Sequence, residues 1–286
     1  LQTYVRLVEA DRAEAAQRAS TAEENDDASG ATETDLTQAW LMLAQAAELR
    51  GDGKAAAGWL DKIDDPQRAL EVQTRRATLL AKQGKLKEAR ALVQQVPERK
   101  PEDARAKLIA ESQVLREVKR WPDAHAVLVS ANDRFPSDID LLYEQAMMAE
   151  KISRMDEMER VLRRVIELKP DHHHAYNALG YSLAERNQRL PEARDLIAKA
   201  VELAPNDPFI ADSLGWVEFR LGNNSQALLH LKRAYASRPD TEIAAHLGEV
   251  LLTVGRKDDA ARLLKDAAKK YPDTDVLAGA VKKFAP

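Results

Sequence analysis

The 286-residue chain has no cysteine, which excludes disulfides, thiolate metal sites and a cysteine nucleophile while leaving the compartment open. No run of about 18 apolar residues occurs, so no segment is suited to cross a bilayer as a helix. Neither sign of charge predominates: 43 Lys and Arg stand against 47 Asp and Glu, interspersed, for a net charge of −4. That balance speaks against the broad basic surface that nucleic acids require, so no nucleic-acid partner is expected. Aromatic residues are only 5% of the chain, and Gly (11) and Pro (12) are sparse. No G-x-S-x-G elbow and no paired acid and base stand out, so the chain is not expected to be an enzyme.

What is present is a hydrophobic fraction of 44% and a charged fraction of 31%, the make-up of a folded, helix-rich chain. Much of it repeats. Ala193, Ala227 and Ala260 are each followed four residues on by Ile197, Leu231 or Leu264. Ala200, Ala234 or Ala267 follows seven residues on, and Pro205, Pro239 or Pro272 twelve on. The copies lie 34 and then 33 residues apart. A fixed period of about 34 residues with small-residue positions predicts stacked helix–turn–helix units.

Copies can be set from near Thr37, Leu70, Arg105, Ile139, His173, Pro208 and Thr241, with one extra residue after Asn187. The eighth position is then always small: Ala44, Ala77, Ser112, Ala146, Gly180, Gly215 and Gly248. The twenty-fourth is always aliphatic: Leu60, Val93, Leu128, Leu162, Ile197, Leu231 and Leu264. Two helices approach closely only where a small side chain faces a large one, so these positions must recur in register. Polar residues interrupt the pattern at the seventh position (Arg76, Glu111, Gln145) and at the eleventh (Glu218). Gly51, Gly84, Gly222 and Gly255 fall at the turn inside a unit, where a left-handed cap suits glycine, and Ser153 and Asn187 take that place elsewhere. Pro122 and Pro191 sit at the start of second helices, and Asp207-Pro208 reads as an N-cap followed by a first-turn proline.

On these residues the chain resembles the tetratricopeptide repeat. The resemblance implies an all-α, right-handed superhelical solenoid of about seven helix–turn–helix repeats over residues 37–273, closed by a capping helix at 274–286. Residues 1–19 read as one further helix, the remnant of a preceding repeat. Residues 20–36 read as a flexible acidic loop, because they offer little to bury. The chain opens at Leu1 rather than Met. It is therefore expected to be a fragment or processed form whose upstream part could carry a signal or lipidated segment.

The resemblance also implies a function, the binding of a protein or peptide segment in a concave groove. That groove is lined by positions two, five, nine, twelve and thirteen of each first helix. Here they include Tyr143, Met147, Asn177, Tyr181, Asp212, Trp216 and Phe219, beside Phe209 and Arg220. The aromatic and Met side chains would anchor an apolar ligand, with Asn177 and Asp212 hydrogen-bonding its backbone. The competing assignment is that Phe209, Trp216 and Phe219 pack between repeats. The fifth positions hold no Lys, which argues against the carboxylate clamp by which some relatives grip a chaperone's C-terminus.

A narrower resemblance covers residues 173–272. The strings AYNALGYSLAERNQRL, PNDPFIADSLGWVEFRLG and TEIAAHLGEVL are similar to the C-terminal repeats of proteobacterial envelope lipoproteins. Some of those scaffold a C-terminal processing protease. This implies an adaptor in the periplasm or attached to the outer membrane, with a cytoplasmic adaptor as the alternative. Self-assembly through the end repeats is the competing function, and an enzyme with an unrecognised site is a more distant one.

No metal or other cofactor is expected. Consecutive helical residues point about 100° apart, so His172, His173 and His174 cannot close together on one ion. Residues 25–36 mimic a calcium loop but carry Leu36 where a bidentate Glu is needed. Gly51-Asp52-Gly53-Lys54 lacks the upstream Gly and the hydroxyl residue of a phosphate loop, and His246 with Glu249 lacks the second His of a zinc-protease helix.

Overall fold

A computed structural model describes residues 29–271, and their regular structure consists of 14 helices with no strand. They run in pairs: α1 (Ser29–Leu49) with α2 (Gly53–Leu60), α3 (Ala69–Lys82) with α4 (Leu86–Gln94), and α5 (Pro101–Glu117) with α6 (Trp121–Arg134). Then come α7 (Ile139–Lys151) with α8 (Met155–Leu168), and α9 (His173–Glu185) with α10 (Leu190–Leu203). The last are α11 (Pro208–Arg220) with α12 (Asn224–Ser237), and α13 (Thr241–Thr253) with α14 (Lys257–Lys270). The chain divides between Pro136 and Ser137 into two compact units, one containing α1–α6 and the other α7–α14.

The helix expected at 1–19 and the closing helix expected at 274–286 lie outside the described residues, as does the acidic stretch up to residue 28. The remainder of that stretch corrects the loop assignment, since α1 begins at Ser29. Leu36 is fully buried and opens a stripe continued by Ala39, Trp40, Leu43 and Ala47, so helical periodicity starts inside the acidic segment.

Within each unit a helix packs on its pair-mate and on the helix that follows. First helices also meet first helices: α3 on α5 in the first unit, α9 on α11 and α11 on α13 in the second. The steric rule read from the sequence is visible at the eighth position. A Cβ added to Gly215 would lie 2.6 Å from Leu231 Cγ, and one on Gly248 would lie 3.0 Å from Leu264 Cδ2. Position eight thus opposes position twenty-four, and the absent side chain sets the helix separation.

The polar interruptions are paired. Buried Glu111 accepts from Arg90 Nε at 2.6 Å and from Gln94 Nε2 at 3.0 Å. Buried Glu218 accepts from Arg194 Nε at 2.6 Å and Asn223 Nδ2 at 2.7 Å. Gln145 donates to Glu157 at 2.7 Å, and Arg76 donates to the Leu60 carbonyl at 2.9 Å. A buried polar group is tolerated where its hydrogen bonds are made, so these residues keep the repeat without its usual apolar side chains.

Helix starts follow the sequence signals. Asp52, Asp138, Asp207 and Asp240 each accept a backbone N–H of the first turn. His172 caps α9 in the same way, its Nδ1 accepting from Ala175 N at 3.1 Å. This is the local reason a histidine stands there. Burial, with the neighbouring Lys169 and histidines, lowers its pKa despite a backbone hydrogen bond, which suits an acceptor nitrogen.

Candidate ligand-binding face

In the second unit the first helices α9, α11 and α13 bring one polar and aromatic cluster together. Asp207 caps α11 and Asp240 caps α13, and 3.6-residue periodicity then turns Asp212, Trp216, Glu242 and His246 toward α9. His246 Nδ1 lies 2.9 Å from Asp212 Oδ2, and the imidazole stacks on the Trp216 indole at 4.2 Å and 20°. Trp216 Nε1 donates to Glu185 Oε2 at 2.8 Å. The Tyr181 hydroxyl donates to Glu242 Oε1 at 3.0 Å and lies 3.4 Å from His246 Nε2. Six residues from three consecutive repeats thus share one connected set of contacts.

Depth sorts them. Trp216 and Asp212 are each only 4% exposed, whereas Tyr181 is half-buried and Glu185 and Glu242 are exposed. Burial disfavours a charged His246, but its hydrogen bond to Asp212 and the charges of Asp212, Glu242 and Glu185 outweigh it and raise the pKa. Burial, with Glu242 and Glu185 beside it, pushes the Tyr181 hydroxyl far above the ordinary phenol range, so it stays a donor.

Of the residues expected to line the groove, Tyr181, Asp212 and Trp216 come together, with the Phe219 ring 5.3 Å from Trp216. Two roles are corrected. Trp216 lies in the core rather than on the surface, because its large ring fills the space between its neighbours. Asp212 is occupied by His246 and is not available to a ligand backbone. Asn177 is half-buried, and its Oδ1 is buried with no hydrogen-bond partner among the described residues. Tyr143 and Met147 pack on the same core, but the Tyr143 ring contacts His172 (5.1 Å) and His174 (6.4 Å), away from the cluster. Phe209 is 38% exposed, beneath the Arg238 guanidinium at 5.0 Å.

His246, Glu185 and Glu242 were not singled out as groove residues from the sequence. Glu185 and Glu242 were legible, because they occupy positions thirteen and two of their repeats. His246, at the sixth position, carried no such signal.

The first unit presents the same face differently. A groove of about 570 Å³ is lined by Glu71, Thr74, Thr78 and Lys82 of α3 and by Ala106, Ile109, Gln113 and Glu117 of α5. Those are positions two, five, nine and thirteen of their repeats, so the register identifies the groove. Its wall has mixed charge and no aromatic residue. Among the described residues, no three His, Asp or Glu side chains are grouped to hold a metal ion.

Residues 158–208 and 213–274 match a tetratricopeptide repeat model, and residues 139–172 match a second one. The chain is 36% identical over 207 residues to a TPR repeat-containing protein of Pseudomonas aeruginosa, an alignment that covers 72% of this chain and 35% of that protein. It therefore spans about a third of that relative's length. Its fold is similar to that of a thermophilic TPR protein from Thermus thermophilus (TM-score 0.56, 22% identity, 62% of this chain and 99% of the other). It is similar also to a tetratricopeptide repeat protein from Parabacteroides merdae (TM-score 0.64, 15% identity, 88% of this chain and 100% of the other). With small eighth positions seated against aliphatic twenty-fourth positions and the helices paired throughout the described residues, residues 139–274 carry tetratricopeptide repeats and the described residues share the all-helical fold of tetratricopeptide-repeat proteins.

Proposed function

We propose that this chain is a non-catalytic scaffold that holds a protein or peptide segment against the first-helix face of its second unit. Tetratricopeptide repeats generally mediate protein–protein interaction, and their fold is typically non-catalytic. The observation that carries the reading is the layering at Tyr181. A half-buried phenol with exposed carboxylates beside it is backed by the buried Trp216, His246 and Asp212. A rigid, hydrogen-bonded backing fixes the surface groups before a ligand arrives and lowers the ordering cost of binding. Tyr181, Asn177 and Phe219 offer contact surface in this reading, while Trp216 and Asp212 hold it in place.

The finer form of the reading is an envelope adaptor that recruits a C-terminal processing protease. It rests on the resemblance of residues 173–272 to envelope lipoproteins. Affinity capture from an envelope fraction, comparing the unaltered chain with a Tyr181→Ala/Asn177→Ala variant of unchanged helicity, tests both levels. Proteins held only by the unaltered chain support the scaffold reading, and a processing protease among them supports the finer one. Equal capture by both chains overturns the assignment of this face.

A further inference from the structure

The carboxylates of the second unit fall into two groups. Several that lie off the first-helix groove positions are matched by arginine: Glu159 pairs with Arg163 and Arg189, Glu192 with Arg163, Glu218 with Arg194, and Asp259 with Arg256 and Arg262. On the first-helix face the pattern is reversed. Glu185 is held by the neutral indole N–H of Trp216, and Glu242 by the neutral hydroxyl of Tyr181. Neither carboxylate forms an ion pair among the described residues. Glu150 of α7, within electrostatic reach of Glu242, forms no ion pair among the described residues; burial, with a smaller contribution from Glu242, raises its pKa against the opposing charge of Lys151. The Arg220 guanidinium lies over the Trp216 ring at 5.8 Å and forms no ion pair with either glutamate.

Two exposed carboxylates held only by neutral donors, set beside an aromatic ring, have a definite complement. A Lys ammonium or Arg guanidinium can donate charge-assisted hydrogen bonds to carboxylates and also lie against a phenol ring. Both carboxylates act on the same centre, since Glu185 and Glu242 each bear on the Tyr181 hydroxyl and on the His246 ring. An acidic or neutral ligand would meet repulsion or leave both carboxylates as they are.

We propose that the first-helix face of the second unit takes a peptide segment bearing a Lys or Arg side chain, which docks beside Tyr181 between Glu185 and Glu242. This rests on the scaffold reading given above and adds the chemistry of the ligand. The flanking residues of the segment are apolar, matched to the half-buried Phe219 and Met147. The first unit does not share this preference, because its groove carries Arg75, Lys82 and Arg105 among its carboxylates.

The test is selection of a displayed library of random 12-residue peptides against the full chain, followed by binding titration of the recovered peptides. Three chains are compared: the unaltered one, Glu185→Gln/Glu242→Gln, and Tyr181→Ala. Glutamine keeps an acceptor for the Trp216 and Tyr181 donors, so the fold is preserved, and the melting temperature verifies it. The expected result is recovery of peptides with one conserved Lys or Arg. Their affinity should fall roughly five- to tenfold in the double glutamine variant, and replacing the basic residue by Gln should add no further loss in that variant. Recovered peptides without a basic residue that still depend on Tyr181 would overturn this proposal and leave the scaffold reading standing. Recovery that depends on neither substitution, or no recovery at all, would overturn both.

Discussion

Asp212 and His246 form a pair in the interior of the second unit, Nδ1 to Oδ2 at 2.9 Å, joining α11 to α13 one repeat apart. Removing one member of such a pair leaves the other buried without its partner. Asp212→Ala should lower stability by about 2 kcal/mol, less than for a permanent charge because the imidazole can lose its proton. Urea unfolding followed by circular dichroism measures it, and an unchanged midpoint would show that the pair contributes nothing.

The same histidine sets a pH dependence. Its folded pKa is raised above the ordinary 6.5, so its contribution is complete below that value and is lost as pH rises through the folded pKa. The urea midpoint of the unaltered chain should therefore fall on the alkaline side of 6.5, and His246→Gln should flatten that part of the profile.

Glu159 predicts the opposite limb. Hydrogen bonds from Arg189 and Arg163, against a smaller effect of burial, lower its pKa from 4.5 to about 2. Its contribution is present above 4.5 and disappears as pH falls toward 2. Acid titration of Glu159→Gln should show a shallower loss of stability across that window than the unaltered chain.

Two helical glycines should respond oppositely to alanine. Gly58 in α2 has open space where a Cβ would stand, so Gly58→Ala should stabilise by about 0.5–1 kcal/mol through helix propensity. At Gly215 the Cβ would meet Leu231 at 2.6 Å, and the overpacking should outweigh that gain, for a net loss of about 1–2 kcal/mol. Thermal melts of the two variants decide it, and equal shifts would refute the role assigned to the eighth position.

The repeat was legible because its cause is steric. A small residue facing an aliphatic one about every 34 residues leaves a mark in a linear string, as Gly215 with Leu231 and Gly248 with Leu264 show. The face was legible only in part. Register located the groove positions, but the aromatic signal could not distinguish Trp216, which reaches the interior, from Tyr181, which stops near the surface. The beginning of α1 was hidden for a related reason: acidic composition suggested a loop, while one buried leucine, Leu36, begins the apolar stripe. His246 stood out in the sequence only beside Glu249, and its place on this face stayed hidden because its partner Asp212 lies 34 residues away and nothing local marks the pair.

Arg76, Glu111 and Glu218 stand where most repeats place apolar side chains, and each bonds back to the unit before it, Arg76 at Leu60, Glu111 at Arg90 and Glu218 at Arg194. These contacts act as addresses. A shuffled array that set the Glu218 unit behind the one carrying Leu228 in place of Arg194 would bury a carboxylate against an aliphatic side chain. Repeats that look interchangeable by their glycines and alanines are therefore not exchangeable modules, and their order along the chain is itself under physical constraint.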